Sequence, residues 1–288
     1  MKELKNFRFT LHKDSNTLDW ITELEPPILG RNQFYRILDC IAGLVCLLDD
    51  CKTKHNLLLW NPLTKKVLIL PNPTIESDLV ESSCFGFGFD PLNCEYKIVR
   101  ITYVGADSLT EVFRVKTESW VRIDVSYIGC GSIPSIVYQQ AYVNGHVNWI
   151  SSNHIILAFE VGSEVFKELV LPKALDKVDV QGLSIAVWKG FLSVFAIENS
   201  KVCLWLMSEY AVEESWTTKF VIEPYAIYRQ IRGIRTNGHI IFEDLYSNLI
   251  SVDPQTQLIE HLALGVQGTL SAFHMKSYSR SLALLDLG

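Results

Sequence analysis

Apolar runs separated by polar turns recur along the whole chain. The clearest is in residues 57–71, where Leu57 to Trp60 is followed by a polar turn containing Pro62 and then by Val67 to Leu70, closed by Pro71. Two short apolar runs flanking a turn predict a β-hairpin. From the last large apolar residue before the turn to the first after it, Trp60 and Val67 lie seven apart. The same interval separates Phe113 from Trp120, Phe159 from Phe166, Val252 from Ile259 and Leu11 from Leu18, while Trp205 and Trp216 show it stretched to eleven. The extra residues around 208–213 in that last hairpin predict one helical turn. Six outer hairpins result.

A second, tighter hairpin type alternates with the first. Its apolar runs turn at Ala42-Gly43, at residues 90–94, at Asn144-Gly145, Lys189-Gly190 and Asn237-Gly238, and near Tyr278-Ser279 between residues 270–274 and 282–285. Asn-Gly is a strong hairpin signal because both residues tolerate the positive φ of a type I′ turn. Each inner hairpin is followed by an outer one, so one repeat holds four short strands. The outer anchors at 11, 60, 113, 159, 205 and 252 are 46 to 53 residues apart, and the tail after 252 joined to the head before 11 makes one more period of 47.

A four-stranded repeat of roughly 40 to 50 residues is the pattern of a β-propeller blade. The expected fold is all-β: a single propeller over residues 1–288 with six four-stranded blades. The N-terminal outer hairpin is expected to pair with the C-terminal inner hairpin and close the ring. Two β-sandwiches with similar spacing are the alternative; no Pro-, Gly- or Ser-rich linker divides the chain.

Composition supports buried strands: 48% of residues are hydrophobic and 11% aromatic. A formal net charge of −6, with no basic stripe, argues against nucleic acid as the main partner. The seven cysteines are odd in number and include no C-x-x-C pair, so reduced, buried thiols are expected rather than a disulfide framework or a zinc ribbon. The first ten residues are charged rather than signal-like, and the longest apolar runs, about eight residues, are too short for a membrane-spanning helix. A soluble protein of the cytoplasm or nucleus is expected.

Candidate chemistry is sparse. Gly86-Phe87-Gly88 lacks the third glycine and following helix of a dinucleotide loop, and glycines beside aromatics in a strand more often permit close packing. Neither a G-x-S-x-G nor an H-E-x-x-H motif occurs. His146 and His154 could meet on adjacent strands, but solvated strand ends account for them. Asp49, Asp50, Asp90, Asp124, Asp244 and Asp253 could supply carboxylates to a propeller enzyme, yet most fall at turns, where Asp accepts backbone hydrogen bonds. No catalytic residue, cofactor or metal is expected. Recognition falls instead to the connections between blades, the longest being residues 72–83, 125–140, 172–181 and 223–230. Within them Tyr127, Tyr138, Tyr225, Tyr228 and Arg229 are of the types enriched in protein interface hot spots.

Several phrases occur together in one order: Gly43 to Leu47, Leu59-Trp60-Asn61-Pro62, Phe85 to Pro91 with Glu95 to Arg100, Glu111-Val112-Phe113 with Ser119-Trp120, and Leu204 to Met207 through Trp216. Over residue 37 to the C terminus the chain resembles the F-box associated domain of plant F-box proteins, including the S-locus F-box and F-box/kelch types. The resemblance implies the substrate-recognition module of an SCF ubiquitin ligase, which binds a protein target and performs no chemistry. Family members begin with a helical F-box that binds the Skp1 adaptor, and no such segment is read before Leu11. Contact with Skp1 and cullin is therefore expected only if a longer form supplies an F-box. An F-box-less chain would act as a competitor that occupies a target without delivering it.

Overall fold

The computed structural model describes residues 9–14, 20–24, 35–49, 56–75, 82–104, 107–124, 139–198, 201–223, 228–246, 248–262, 275–279 and 281–283. Strands β1 (Phe9–His12) and β2 (Trp20–Leu24) form a two-stranded sheet. Five four-stranded sheets follow. They comprise β3 (Tyr35–Ile41), β4 (Leu44–Asp49), β5 (Leu57–Asn61) and β6 (Lys66–Ile69); then β7 (Ser82–Asp90), β8 (Glu95–Val104), β9 (Asp107–Arg114) and β10 (Ser119–Ile123). The third holds β11 (Ala141–Val143), β12 (His146–Ile150), β13 (Ile155–Glu160) and β14 (Val165–Val170). The last two hold β15 (Leu183–Trp188), β16 (Phe191–Glu198), β17 (Lys201–Met207) and β18 (Trp216–Ile222), and β19 (Tyr228–Ile234), β20 (Ile240–Asp244), β21 (Leu249–Val252) and β22 (Ile259–Leu262). In every sheet the spatial order equals the chain order, so each is an antiparallel meander, the blade of an all-β propeller.

The seven-residue interval corresponds to a four-residue turn between directly opposed residues. Trp60 faces Val67, Phe113 faces Trp120, Phe159 faces Phe166 and Val252 faces Ile259. The first hairpin differs: Leu11 opposes Thr22 and His12 opposes Trp20, and Leu18 lies outside the described residues. The pairing shifts between Leu11 and His12, and beyond His12 the chain carries Asp14, whose carboxylate binds Arg235 and Thr236. In the stretched hairpin a register shift between Leu204 and Trp205 sets Trp205 against Thr218 and Met207 against Trp216. The extra residues form one 3-10 turn at Glu213–Ser215. At Asn144-Gly145 both residues have positive φ, as a type I′ turn requires. At Asn237-Gly238 only Gly238 does, because Ile234 pairs with Ile240 and leaves a longer loop in which Asn237 Oδ1 accepts the His239 N–H.

Backbone contacts divide the chain into two compact units, one of residues 1–72 and 226–288, the other of residues 73–225. Of the expected C-terminal inner hairpin, residues 270–274 and 284–285 lie outside the described residues. The described stretches 275–279 and 281–283 nevertheless touch both four-stranded sheets of the first unit. Asn61, fully buried at the end of β5, donates from Nδ2 to the carbonyls of Ser281 (3.0 Å) and Ala283 (2.8 Å) while its Oδ1 accepts Leu63 and Thr64 N–H. Lys276 pairs with Asp39 at 3.2 Å, and Met275 lies against Gly233 of β19. Phe9 meets Trp60 edge to face, with ring centroids 5.3 Å apart.

In the second unit, apolar faces of successive sheets pack directly. Trp149, Val147, Leu157 and Phe159 of the third sheet share one cluster with Val99, Ile101 and Val112 of the second. Gly86 and Gly88 of β7 make that approach possible: a Cβ on Gly86 would lie 2.2 Å from Trp149, and one on Gly88 2.5 Å from Val161. The glycine-aromatic run is thus a packing device, as its sequence suggested. A second cluster joins Ile150, Ile156 and Ala158 to Ile185, Val194 and Trp216.

Candidate recognition surface

In an antiparallel meander, the turns between strands one and two and between three and four lie at one end. The turn between two and three lies at the other, with the connections to neighbouring blades. In the second unit that connection-bearing end is built with buried anchors.

The connection between β14 and β15 is described throughout. Leu171, Pro172, Leu175 and Val178 are buried, and 3-10 turns form at Lys173–Leu175 and Val180–Gly182. The Trp216 indole donates to the Val170 carbonyl at 3.0 Å, and the His154 ring, on the turn between β12 and β13, donates from Nε2 to the Val178 carbonyl at 2.7 Å. Asp179 accepts the Gln181 N–H at 2.8 Å and fixes the start of the second turn. Lys173, Asp176, Lys177, Asp179 and Gln181 are left exposed on a backbone with little freedom. Such preorganisation lowers the ordering cost of binding.

The connection entering β7 is fixed by charge. Glu111 and Arg100 oppose each other on β9 and β8, 0% and 3% exposed, with an Oε1 to Nη1 distance of 2.8 Å. Glu111 Oε2 accepts both the Thr74 N–H (2.9 Å) and its hydroxyl (2.8 Å), and Arg100 donates to the Ile75 carbonyl at 3.2 Å. Sequence reasoning did not assign this pair. Its only signal was two opposite charges within strands that carry other charged and polar residues as well.

The first unit shows another exposed feature at the equivalent end of its last sheet. On the turn after β20, Leu245 is 52% and Tyr246 86% exposed. Asp244 holds this turn by accepting the Tyr246 and Asn248 N–H groups. Of the five residues proposed from sequence, Tyr127, Tyr138 and Tyr225 lie outside the described residues. Tyr228 and Arg229 are placed by backbone at the start of β19, their side chains outside what is described.

Three of the aspartates considered as enzyme carboxylates are occupied by their own turns, while Asp124 is exposed just after β10, and Asp50 and the side chain of Asp49 lie outside the described residues. Asp90 accepts from Leu92 and Asn93, Asp244 from Tyr246 and Asn248, Asp253 from Gln255 and Thr256. Burial pushes each carboxyl up, but the turn hydrogen bonds outweigh it and hold all three below the ordinary value. A lowered folded-state pKa contributes stability above the unfolded value of about 4 that is lost as pH falls through the folded value. The melting temperature is therefore expected to stay level from about pH 7 to 5 on this account and to fall below about pH 4; thermal melts across that range check it.

His146 is buried rather than solvated: Nδ1 lies 2.7 Å from the Asn144 carbonyl, and the ring lies tilted by 41° against Tyr210 with centroids 4.8 Å apart. Among the described residues no group of three or more His, Cys, Asp or Glu could hold a metal ion, and no helix is long and apolar enough to cross a membrane.

Comparison with known proteins adds an independent finding. Residues 2–257 match the model of the F-box associated beta propeller domain. The Arabidopsis thaliana F-box protein CPR1 is 26% identical over 243 residues, covering 73% of this chain and 57% of that protein. The Arabidopsis thaliana F-box/kelch-repeat protein At3g23880 is 24% identical over 208 residues, covering 69% and 55% respectively. A third Arabidopsis thaliana relative, F-box protein At3g07870, is 28% identical over 305 residues, covering 88% of this chain and 71% of its own. The chain thus spans little more than half the length of CPR1 and of the F-box/kelch-repeat protein. The match over residues 2–257, together with five meander sheets at the expected period, establishes that this chain belongs to the F-box associated β-propeller domain family.

Proposed function

We propose that this domain is a non-catalytic protein-recognition module, the part of an SCF-type ubiquitin ligase subunit that holds a protein target. The observation that carries this reading is the connection between β14 and β15, with apolar anchors buried beneath an exposed row of charged and amide side chains. Skp1 and cullin contacts belong, on this reading, to an F-box in a longer form, and the site of action is the cytoplasm or nucleus.

The test replaces Lys173, Asp176, Lys177 and Asp179 together by Ser in the full chain and compares the proteins captured with those captured by the unaltered chain. All four side chains are exposed, so the variant should melt within a few degrees of the original. At least one captured protein should be lost or weakened about tenfold, which corresponds to about 1.4 kcal/mol. An unchanged captured set would remove this connection from the reading. Steady turnover of a small-molecule substrate, abolished by substitution at a single carboxylate, would replace the reading with an enzymatic one.

A further inference from the structure

We propose that the β1–β2 hairpin is a releasable strap, and that Arg235 passes from the Asp14 carboxylate to that of Glu260 when the strap lifts. The inference concerns the first unit and does not depend on the recognition reading.

Arg235 follows β19 and is 2% exposed, a depth at which a guanidinium needs an anionic partner. Its Nε donates to Asp14 Oδ1 at 2.9 Å, and its Nη1 donates to the Ser251 hydroxyl at 3.1 Å. Asp14 Oδ2 also accepts the Thr236 N–H at 2.7 Å and the Thr236 hydroxyl. One carboxylate thus fastens the turn of the N-terminal hairpin to the turn between β19 and β20, 221 residues away.

A second carboxylate is already in place. Glu260 on β22, in the same sheet as Arg235's turn, brings Oε2 to 3.5 Å from Arg235 Nη1. That oxygen is itself buried, although the side chain is 42% exposed, and it accepts no hydrogen bond. A buried acceptor without a donor is costly, and here it stands a few tenths of an ångström beyond good bonding distance from a guanidinium held by the strap. If Asp14 withdraws, a small rotation of the guanidinium satisfies Glu260 and keeps a carboxylate beside Arg235. Release gives up the three hydrogen bonds to Asp14, and of these the one from Arg235 is replaced within the sheet by Glu260. Phe9 would leave Trp60 and uncover part of that apolar face.

Hydrogen exchange and thermal melts on the full chain test this with three variants. In Asp14→Asn, amides of residues 9–12 and 20–24 should exchange at least tenfold faster, those of β19–β22 should be unchanged, and the melting temperature should shift by only a few degrees. Glu260→Gln alone should leave the strap as protected as before or more so. The double variant removes both carboxylates, and its loss of melting temperature should exceed the sum of the single losses. Strap amides that keep their original rate in Asp14→Asn would overturn the clasp. A melting temperature for Asp14→Asn as low as that of the double variant, or an Asp14→Asn chain that fails to fold, would overturn the transfer to Glu260.

Discussion

Gly86→Ala is expected to lower the melting temperature by about 10 °C, the effect of roughly 3 kcal/mol of overpacking in a domain of this size. The added methyl would sit 2.2 Å from Trp149 Cζ2 and 2.8 Å from Val147 Cγ1, both on buried side chains. Trp149 cannot swing aside without breaking its bond from Nε1 to the Phe85 carbonyl, 3.2 Å away on the adjoining sheet. Gly162→Ala is the control, since its nearest atom would be an Asp90 oxygen at 3.6 Å, an ordinary contact. Thermal melts of both variants decide the matter. A Gly86→Ala protein that melts with the parent would mean that the second and third sheets do not pack as described.

Glu111→Ala should cost about 3–5 kcal/mol, because removing one partner of a buried ion pair strands the other. Arg100 would remain 3% exposed with no carboxylate, and Thr74 would lose the acceptor of both its donors. Beyond the loss in melting temperature, the amides of Asn72, Thr74 and Ile75 should exchange faster, since the entering connection is no longer fastened. Replacing both partners, Arg100→Met with Glu111→Leu, should recover most of the stability, as buried pairs exchanged for apolar residues often do. It should leave Thr74 as poorly held as the single variant does. Additive losses in the double variant would mean that the two side chains do not act as a pair.

The blades were legible in the sequence because their signal is local. A hairpin with a four-residue turn places its opposing large apolar residues seven apart, and Trp60 and Val67, or Phe159 and Phe166, show that interval without reference to the rest of the chain. The period failed to predict pairing in the first hairpin, where the register shifts between Leu11 and His12 and nearby Asp14 serves a contact two hundred residues distant. The recognition surface was legible only as a set of variable connections. What fixes those connections, the His154 ring under Val178 and the Glu111 carboxylate under Thr74, comes from residues 24 and 37 positions away. Glu111 looks like any polar residue of a half-exposed strand until its partner on β8 is seen. Tyr246 carries no such signal, because it sits on a four-residue turn within a blade and not on a long connection between blades.

Asn61 has a further consequence for the order in which the chain can be completed. Its amide joins residues 220 and 222 positions downstream, among the longest sequence separations in the molecule. On a ribosome, the sheets of the second unit could each form from neighbouring strands as they emerge, because their pairings are short in range. The clip at Asn61 has to wait until residue 283 has been synthesised and released from the exit channel. Until then the β3–β6 sheet, made early, keeps a buried-type amide exposed to water, and a chain stalled a few dozen residues from its end would present it to chaperones in that unfinished state.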